Sequence, residues 1–463
     1  MSRPDLSSTA RCIAWHARVT PEATAIVDLG VHLTYRALAA DLVRCVRALE
    51  ALAVRPGMLV GIQTPDRYLQ LLLSLACEVT GAPVTALTQT DLSGGDDMIR
   101  YCDLVLAEQV PVAAQPPATV ILSSDWLAGL PVSPVHEQHL VLLDRDIAPG
   151  QVMRIVRTSG TTGRPKAMPM TNATQQLRVI RTIGRVAQDM LPNPRFLCLY
   201  NLTIGPIYAR ALGVLQHGGT ILLTAEEFVL GLIASGVANY AALAVGDIER
   251  MIQRAEPPAA GHGLHIEVFG AVLVPRLRRQ IAQRLNAQVI SKYSSNETNA
   301  IAIFDEDNLG TLCEGVDVHI VDAAGRNLPF EESGTIRVQS ETMVHGYFNE
   351  LAMTAAAFID GWFQTSDFGF MPEPGKLVVL GRTDDMLNIG GVKVAPAPLE
   401  AEVKRINGVA DAVMMTVASP NEVGILLAAV EIDSDQPPSP DVLRQISNVL
   451  SQSVGTFEIV PLR

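Results

Sequence analysis

The sequence has no apolar run long enough to cross a lipid bilayer. Its most apolar stretch, Leu69–Ala76, is closely followed by Glu78 and is far shorter than the about 20 residues that a membrane-spanning helix needs. The first residues, Met1–Val27, also lack the sustained apolar segment of a secretory signal peptide. We therefore predict a cytoplasmic protein without a membrane span, in which the apolar stretch forms a buried helix.

Basic residues and paired cysteines are also scarce. The chain has 35 Lys and Arg against 48 Asp and Glu, a formal net charge of −13, which argues against nucleic acid as a partner because binding it needs a clustered basic surface. The six cysteines are scattered without a C-x-x-C pair, which is typical of reduced, buried thiols in the cytosol. His262 and His265 flank Gly263 without a third ligand, so we predict no metal site there.

The length and the apolar content indicate more than one domain. With 463 residues, of which 48% are apolar, the chain exceeds the size of a single ordinary core. Apolar residues recur at helical spacing in Tyr35–Ala51 and Tyr68–Val79, and they alternate with buried-strand patterns at Met58–Gln63 and Ala82–Leu87. This alternation predicts an α/β fold with parallel-rich sheets flanked by helices.

After Gly334 the pattern changes to shorter strands and turns. Gly334–Ser340 and Lys376–Arg382 are typical of antiparallel strands. The elements that follow are a helix at Ala397–Arg405, strands at Ala410–Ala418 and Gly424–Ile432, and a helix at Leu443–Ser451. We predict a large N-terminal domain of residues 1–383 and a small α+β C-terminal domain of residues 384–463.

Glycines, hydroxyls and one lysine are concentrated in Arg157–Thr171, which has the sequence RTSGTTGRPKAMPMT. Backbone N–H groups, hydroxyls and a cation suit a polyphosphate, and the alternative is an ordinary Gly/Ser/Thr loop. The common P-loop is excluded, because two residues rather than four separate Gly160 from Gly163. The residues predicted to bind the phosphates are Thr158, Ser159, Gly160, Thr161, Thr162, Gly163 and Lys166.

Four segments, in this order, resemble the motifs of the adenylate-forming superfamily of acyl-CoA synthetases, peptide-synthetase adenylation domains and luciferases. They are the phosphate-loop segment Arg157–Thr171, KYSSNET at Lys292–Thr298, GWFQTSDFG at Gly361–Gly369 and GRTDDMLNIGGVKVAPAPLEAEV at Gly381–Val403. Leu33–Leu38 and Gly334–Glu350 match weaker elements. The resemblance implies a large AMP-binding domain joined by a hinge to a small mobile domain.

The resemblance also assigns roles at a nucleotide site. Lys166 would bring positive charge to the phosphates, Glu297 would bind Mg²⁺, and Tyr293 would flank the adenine. Asp367 would accept hydrogen bonds from the ribose hydroxyls, with Arg382 as a second ribose contact. Lys166 and Glu297 are thus the predicted catalytic residues, and ATP and Mg²⁺ are predicted cofactors.

The hinge implied by the resemblance lies at Asp384. Rotation there would exchange the face of the C-terminal domain that meets the active site, one face serving adenylation and the other serving transfer to a thiol. Gly390 and Gly391 would leave room for a pantetheine arm. Lys393 would either contact a phosphate or be an ordinary surface lysine.

The sequence departs from the family pattern in three ways. Asn296 replaces a threonine and Ser366 replaces a glycine, and we expect both changes to be tolerated. The family usually carries a lysine near its C-terminus, but no lysine follows Lys404, and Phe457–Arg463 resembles only the strand that precedes it. Either that segment is missing from this chain or the protein adenylates slowly, because losing one charged donor costs about 10²–10³ in rate.

The acyl pocket is expected near Tyr200–Gly205, Phe269–Ala271 and Ser291–Ala300. No acidic residue lies in NLTIGPIYA, residues 201–209, where domains that adenylate amino acids usually hold one for the α-ammonium group. An uncharged acyl or aryl carboxylic acid is therefore favoured over an α-amino acid.

Together these features predict an ATP-dependent acid–thiol ligase. It would activate a carboxylic acid as acyl-AMP and transfer the acyl group to CoA or a phosphopantetheine thiol. One alternative is an adenylation enzyme that loads an acyl carrier protein in a biosynthetic cluster. Another is a non-catalytic nucleotide-binding relative, which the missing lysine would favour. The sequence leaves the acid, the acceptor, the oligomeric state and the pathway open.

Overall fold

A computed structural model describes residues 8–94, 97–112, 117–131, 137–158, 166–185, 193–254, 263–269, 273, 275–383, 387–389, 392–394, 396–418, 424–432, 438–451 and 457–462. The helices are α1 Thr9–Val19, α2 Tyr35–Ala51, α3 Arg67–Thr80, α4 Gln89–Leu92, α5 Trp126–Gly129, α6 Glu137–Leu140, α7 Asn172–Arg185, α8 Gly205–Gln216, α9 Glu226–Ala234, α10 Val245–Arg254, α11 Pro275–Leu285, α12 Leu351–Ala357, α13 Pro396–Val403 and α14 Pro440–Ser451, with short 3-10 helices at Asp97–Tyr101 and Val141–Asp144.

The strands follow the same chain order. They are β1 Thr24–Asp28, β2 Val31–Thr34, β3 Val60–Gln63, β4 Val84–Ala86, β5 Leu104–Ala107, β6 Ala118–Ile121, β7 Val152–Thr158, β8 Lys166–Thr171, β9 Arg195–Cys198, β10 Thr220–Leu223, β11 Tyr240–Ala244, β12 Leu264–Phe269, β13 Ala287–Ser295, β14 Asn299–Phe304, β15 Gly310–Leu312, β16 Val316–Val321, β17 Gly334–Ser340, β18 Phe358–Ile359, β19 Trp362–Phe370, β20 Lys376–Arg382, β21 Leu387–Ile389, β22 Val392–Val394, β23 Val409–Ala418, β24 Gly424–Ile432 and β25 Phe457–Leu462.

The chain divides into two compact units. The first unit comprises Met1–Ile303 and Ser340–Gly361, and the second comprises Phe304–Gln339 and Trp362–Arg463. This division follows internal contacts, whereas the boundary predicted after residue 383 concerns a hinge. Asp384 lies outside the described residues, so the hinge and its domain boundary stay predictions.

The first unit contains two sheets that are mainly parallel. In one sheet the strand order is β14-β13-β12-β11-β9-β10-β1-β2, with parallel pairing from β13 through β1 and an antiparallel β1–β2 hairpin. In the other the order is β6-β5-β3-β4-β7-β8, parallel except for the β7–β8 hairpin. Parallel neighbours need crossover connections, which the intervening helices supply. The predicted α/β fold class is confirmed.

Helices α2 and α3 form where capping residues flank a stretch of apolar residues at helical spacing. The Thr34 hydroxyl accepts a hydrogen bond from Ala37 N (3.2 Å) at the start of α2, and the Asp66 carboxylate accepts one from Leu69 N (2.9 Å) at the start of α3. Gly81 ends α3 with φ at +74°, a backbone conformation that glycine adopts readily. Both predicted helices are confirmed, and α3 is buried on nearly all sides, as expected for the most apolar stretch.

Helix α8 lies unusually close to α7. A Cβ atom placed on Gly213 of α8 would lie 1.9 Å from Ile183 Cγ2 of α7. Glycine at this position therefore allows the two helices to approach, and the approach sets the relative position of the side chains that line the cleft described below.

A buried ion cluster ties α8 to the parallel sheet. The Glu267 carboxylate on β12 pairs with the Arg210 guanidinium of α8, accepts the Tyr240 O–H (2.9 Å) and lies 3.1 Å from Lys292 Nζ. Burial alone would raise the pKa of Glu267, but the positive charges of Arg210 and Lys292 lower it to about 2. The carboxylate is therefore ionised in the folded protein.

The Glu267 cluster predicts a pH-dependent loss of stability. The pKa of Glu267 in the folded protein lies below the ordinary value of 4.5. The ionised carboxylate therefore contributes fully to the free energy of unfolding above about pH 4.5, and this contribution declines as the pH falls towards 2. Glu267→Gln leaves two buried cations without a counter-charge and should cost about 3–5 kcal/mol at neutral pH.

Thermal midpoints at neutral pH and near pH 3.5 measure this effect. The difference in thermal midpoint between the wild type and Glu267→Gln should shrink at the lower pH. Protonation of Glu267 there removes from the wild type the negative charge that the variant already lacks. The control is Glu226→Gln, which removes a partly exposed partner of Arg250. Equal losses in the two variants, or a difference that grows in acid, would contradict the role of Glu267.

The second unit is built from antiparallel strands and a small α+β group. One set of strands has the order β16-β17-β19-β20-β15, with antiparallel pairing of β17–β19, β19–β20 and β20–β15. β23 and β24 form an antiparallel pair, and β25 lies parallel to β24. Buried side chains of α13, α14 and these strands form a core with Val403, Leu426 and Ile446 among its members. The predicted small C-terminal sheet domain is confirmed.

The cysteines of the described structure are free thiols. All six cysteines are described, and none forms a disulfide. Five of them are buried, as predicted, and Cys313 is half-buried. Burial raises the pKa of the Cys45 thiol to about 12, which makes it unreactive. Among the residues that the structure covers, no helix combines the length and the apolar content needed to cross a bilayer.

Candidate active site

The predicted phosphate loop begins and ends on one β-hairpin. Thr158 is the last residue of β7 and Lys166 is the first residue of β8, and the two are paired directly in the hairpin. The connecting residues Ser159, Gly160, Thr161, Thr162 and Gly163 lie outside the described residues. The hairpin therefore places one hydroxyl and one ammonium side by side where the loop starts and ends.

Glu297 lies just after β13 and is held by a tyrosine. The Tyr347 O–H donates a hydrogen bond to Glu297 Oε1 (2.9 Å), and burial, together with the negative charge of Glu297, raises the pKa of Tyr347. The glutamate is only 9% exposed. Its Oε2 atom forms no hydrogen bond with another described residue, so this oxygen remains available to a ligand.

Tyr347 also joins Glu297 to Lys166. The Lys166 ammonium lies 5.1 Å from the centroid of the Tyr347 ring, a cation–π distance. The tyrosine is fixed because Phe348 N donates to the carbonyl of Ala167 on β8 (2.7 Å). The structure thus brings the two predicted catalytic residues together through a side chain to which the sequence assigned no role, although its segment, Gly334–Glu350, matched the family.

Arg178 of α7 fixes the backbone that carries Glu297. Its guanidinium donates to the carbonyls of Asn296 (3.0 Å), Glu297 (2.9 Å) and Thr342 (2.8 Å). Burial lowers the pKa of Arg178 to about 10, so it stays charged at neutral pH. Sequence reasoning missed this residue, because the residue pattern of α7 does not show that Arg178 faces the interior.

The donor set of the site suits a hard divalent cation that is shared with phosphates. No group of three or more His, Cys, Asp or Glu side chains gathers anywhere in the described ranges. Mg²⁺ commonly binds through one or two carboxylates together with substrate phosphates and waters. The unpartnered Oε2 of Glu297 fits that mode of binding.

The predicted ribose contacts come together in the second unit. Asp367 on β19 and Arg382 on β20 are directly paired, and opposed residues of antiparallel strands have Cβ atoms about 4.5–5.5 Å apart on one face. Thr365 Oγ1 accepts a hydrogen bond from Asp367 N (3.0 Å), which fixes the backbone there. The candidate hinge residue Asp384 lies outside the described residues.

The candidate adenine contact, Tyr293, lies on β13 with a half-buried side chain. It precedes Ser295, which lines the cleft described next, by two residues. Its placement beside an adenine stays a prediction.

An open cleft lies in the first unit. Its walls come from β7, β8, α7, α8 and the segment around Glu297. Two of the regions predicted for the acyl pocket contribute, through Gly205 and Ser295, whereas residues 270–271 are outside the described ranges. The polar side chains of its lining are Arg154, Gln175, Arg178, Tyr208, Ser295, Asn296 and Asn299.

The AMP-binding enzyme family matches residues 13–348 of this chain. The chain therefore belongs to the AMP-binding enzyme family, and the superfamily predicted from its motifs is confirmed. It is 26% identical, over 95% of its length, to 2-hydroxy-7-methoxy-5-methyl-1-naphthoate–CoA ligase of Streptomyces carzinostaticus, 87% of which is covered. It is also 26% identical, over 88% of its length, to the feruloyl-CoA synthase of an Amycolatopsis species, 86% of which is covered.

The fold also matches a solved structure. ATP-bound MatB from Rhodopseudomonas palustris has a TM-score of 0.79 to this chain at 20% identity, with 98% of this chain and 95% of that chain covered. At this identity the likeness concerns the fold.

Proposed function

We propose that this protein is an ATP-dependent acid–thiol ligase that works through an acyl-adenylate. The observation that carries the proposal is the Lys166–Tyr347–Glu297 arrangement, which begins at the end of the phosphate loop and lies next to cleft-lining Asn296. Membership of the AMP-binding family and the CoA-ligase relatives support the same chemistry. ATP and an acceptor thiol, from CoA or phosphopantetheine, are its co-substrates.

In the first step, a carboxylate oxygen of the acid attacks the α-phosphorus of ATP. An O–P bond forms, the bond from that phosphorus to the β-bridging oxygen breaks, and pyrophosphate leaves with the electron pair. Lys166 and Thr158 would face the phosphates, where a positive charge and a hydroxyl offset the developing charge. Glu297 would hold Mg²⁺, which neutralises phosphate charge when bound.

In the second step, the acceptor thiol replaces AMP. Its sulfur attacks the acyl carbon, the carbon–oxygen bond to AMP breaks, and the thiol proton is released to solvent. The products are a thioester and AMP. Asp367 and Arg382 would hold the ribose through both steps, so that the nucleotide is bound by groups that take no part in bond breaking.

Acid-dependent exchange between ATP and labelled pyrophosphate tests the proposal. A panel of aryl and acyl acids should include at least one that stimulates the exchange, and addition of CoA or a pantetheine-bearing carrier protein should then yield its thioester. ATP cleavage to ADP, or no stimulation by any acid, would contradict the proposal.

Arg178 is expected to act as a positioning residue. Arg178→Lys keeps the charge but cannot make the three hydrogen bonds to Thr342, Asn296 and Glu297, so Glu297 should bind Mg²⁺ less well, by about 10–100-fold. The measurement is pyrophosphate release as a function of Mg²⁺ concentration, and activity should return at high Mg²⁺. Arg181→Lys, one turn along α7 and paired with exposed Glu341, is the control. A lower thermal midpoint with an unchanged Mg²⁺ requirement would show a merely structural role.

A further inference from the structure

The cleft is bordered by a buried arginine whose charge is not neutralised by a contacting carboxylate. Arg154 of β7 is 7% exposed and lines the cleft. Its guanidinium lies 3.8 Å from the centroid of the Tyr208 ring. Its hydrogen bonding to described residues is limited to a long contact with the carbonyl of Thr203 (3.5 Å), although a guanidinium offers five N–H donors.

Two other buried arginines of the same unit have closer partners, although Arg210 Nε has none among the described residues. Arg210 forms an ion pair with Glu267 and donates to the carbonyl of Pro206 (2.8 Å). Arg178 donates to three backbone carbonyls. A buried cation is costly unless it is paired and hydrogen-bonded, so the difference at Arg154 points to a partner that binds from the cleft.

The acid whose charge acts on Arg154, Glu78, already accepts hydrogen bonds from other side chains. Glu78 acts on Arg154 electrostatically but forms no ion pair with it within 4.0 Å in the described structure. The Glu78 Oε1 atom accepts hydrogen bonds from Gln175 Nε2 (2.9 Å) and from the Tyr208 hydroxyl (2.8 Å). Burial also raises the pKa of Glu78.

Gln175 gives a second, independent sign of a missing ligand. It is 3% exposed, lines the same cleft, and its Oε1 atom has no hydrogen-bond partner among the described residues. A buried acceptor without a hydrogen-bond partner is destabilising. The cleft therefore presents a cationic donor and a neutral acceptor, both of which a polar substrate group can satisfy.

We infer that the carboxylic acid activated by this protein carries a second carboxylate, which binds Arg154 in the cleft. This inference rests on the proposed function and replaces the sequence-based preference for an uncharged acid. The second carboxylate accepts from the Arg154 guanidinium and remains unreacted, while the first carboxylate attacks ATP. The free oxygen of Gln175 accepts from a hydroxyl or a water beside that carboxylate.

Matched pairs of acids test this specificity. The benzenedicarboxylates are compared with the corresponding methylbenzoates and carbamoylbenzoates, and glutarate is compared with pentanoate, by kcat/KM for pyrophosphate release. In the best pair the wild type should prefer the diacid by about 10–100-fold, the range of a charge-assisted hydrogen bond. Both acids of a pair are measured on the same preparation. Slow adenylation would lower kcat/KM for both acids and would leave their ratio unchanged.

Substitutions then assign the preference to Arg154. Arg154→Met should bring the ratio close to one, and Arg154→Lys should retain part of it. Arg181→Met, at a half-buried position of α7 that does not line the cleft, should leave it unchanged. If Arg154→Met does not fold, the test rests on Arg154→Lys, which should prefer the diacid less strongly than the wild type does. ATP affinity, measured by calorimetry, should be the same in the wild type and Arg154→Lys.

Three outcomes would overturn the inference. If monoacids react as fast as the matching diacids, the proposed ligase function is unaffected, but the substrate does not need a second carboxylate. Weaker ATP binding with an unchanged acid ratio would assign Arg154 to the nucleotide instead. Absence of pyrophosphate release with every acid would contradict the proposed function itself, and the inference would fall with it.

Discussion

Glu297→Gln should slow acyl-adenylate formation about 100-fold when Mg²⁺ is limiting. Glutamine keeps the shape of the side chain, and its amide oxygen can still accept the Tyr347 hydroxyl. The charge on the second oxygen, which has no partner among the described residues, is lost. Because Mg²⁺ relies on few protein carboxylates, that loss should weaken the metal site more than the fold. The measurement is pyrophosphate release across a range of Mg²⁺ concentrations.

Two further variants make the Glu297 result specific. Glu341→Gln removes an exposed carboxylate of the same unit, which pairs with Arg181, and it should leave the rate unchanged. Tyr347→Phe removes the hydrogen bond but keeps the ring near Lys166, so a loss of about 10-fold is expected. Normal activity of Glu297→Gln at limiting Mg²⁺ would mean that another group holds the metal.

Asp367→Ala should weaken ATP binding by about 1.5–3 kcal/mol, which corresponds to a loss of about 10–100-fold in affinity. Asp367 lies opposite Arg382 on the neighbouring strand, and two ribose hydroxyls would donate charge-assisted hydrogen bonds to its carboxylate. Calorimetric titration with ATP measures the loss directly. Binding is measured without an acid present, so the result does not depend on how fast adenylation is.

Neighbouring changes separate the ribose role from local disruption. Asp367→Asn keeps the shape and should show a smaller loss than alanine. Ser366→Ala alters the adjacent exposed residue, whose side chain points to the opposite face of the strand, and it should bind ATP normally. Unchanged ATP affinity in Asp367→Ala would remove the ribose role, whatever its effect on stability.

The elements most accurately predicted from the sequence were those with local signals. Helix α2 has the predicted bounds because Thr34 supplies its cap and apolar residues recur at helical spacing. The residue pattern at Glu267–Ala271 also predicts a strand, and the structure has it at Leu264–Phe269. His265 and Glu267 are buried there, and charged or polar side chains in a buried strand do not follow the usual apolar pattern.

The residues that complete the candidate site depend on contacts between distant segments. Arg178 reaches Asn296 and Glu297, and Tyr347 reaches Glu297 from a different part of the chain. A helix pattern alone does not show whether an arginine such as Arg178 or a glutamine such as Gln175 faces water or the interior. Lys166 and Glu297 could be predicted as site residues because short motifs carry them, whereas the side chains that contact them became visible only with the fold.

Transfer of labelled oxygen tests the proposed chemistry most directly. An acid that supports exchange is prepared with ¹⁸O in the reacting carboxylate and incubated with the protein, ATP and the acceptor thiol, and the products are analysed by mass spectrometry. Attack of a carboxylate oxygen on the α-phosphorus, followed by cleavage of the acyl carbon–oxygen bond, predicts AMP with one ¹⁸O atom and unlabelled pyrophosphate. ADP together with labelled inorganic phosphate, or AMP without the label, would contradict an acyl-adenylate intermediate.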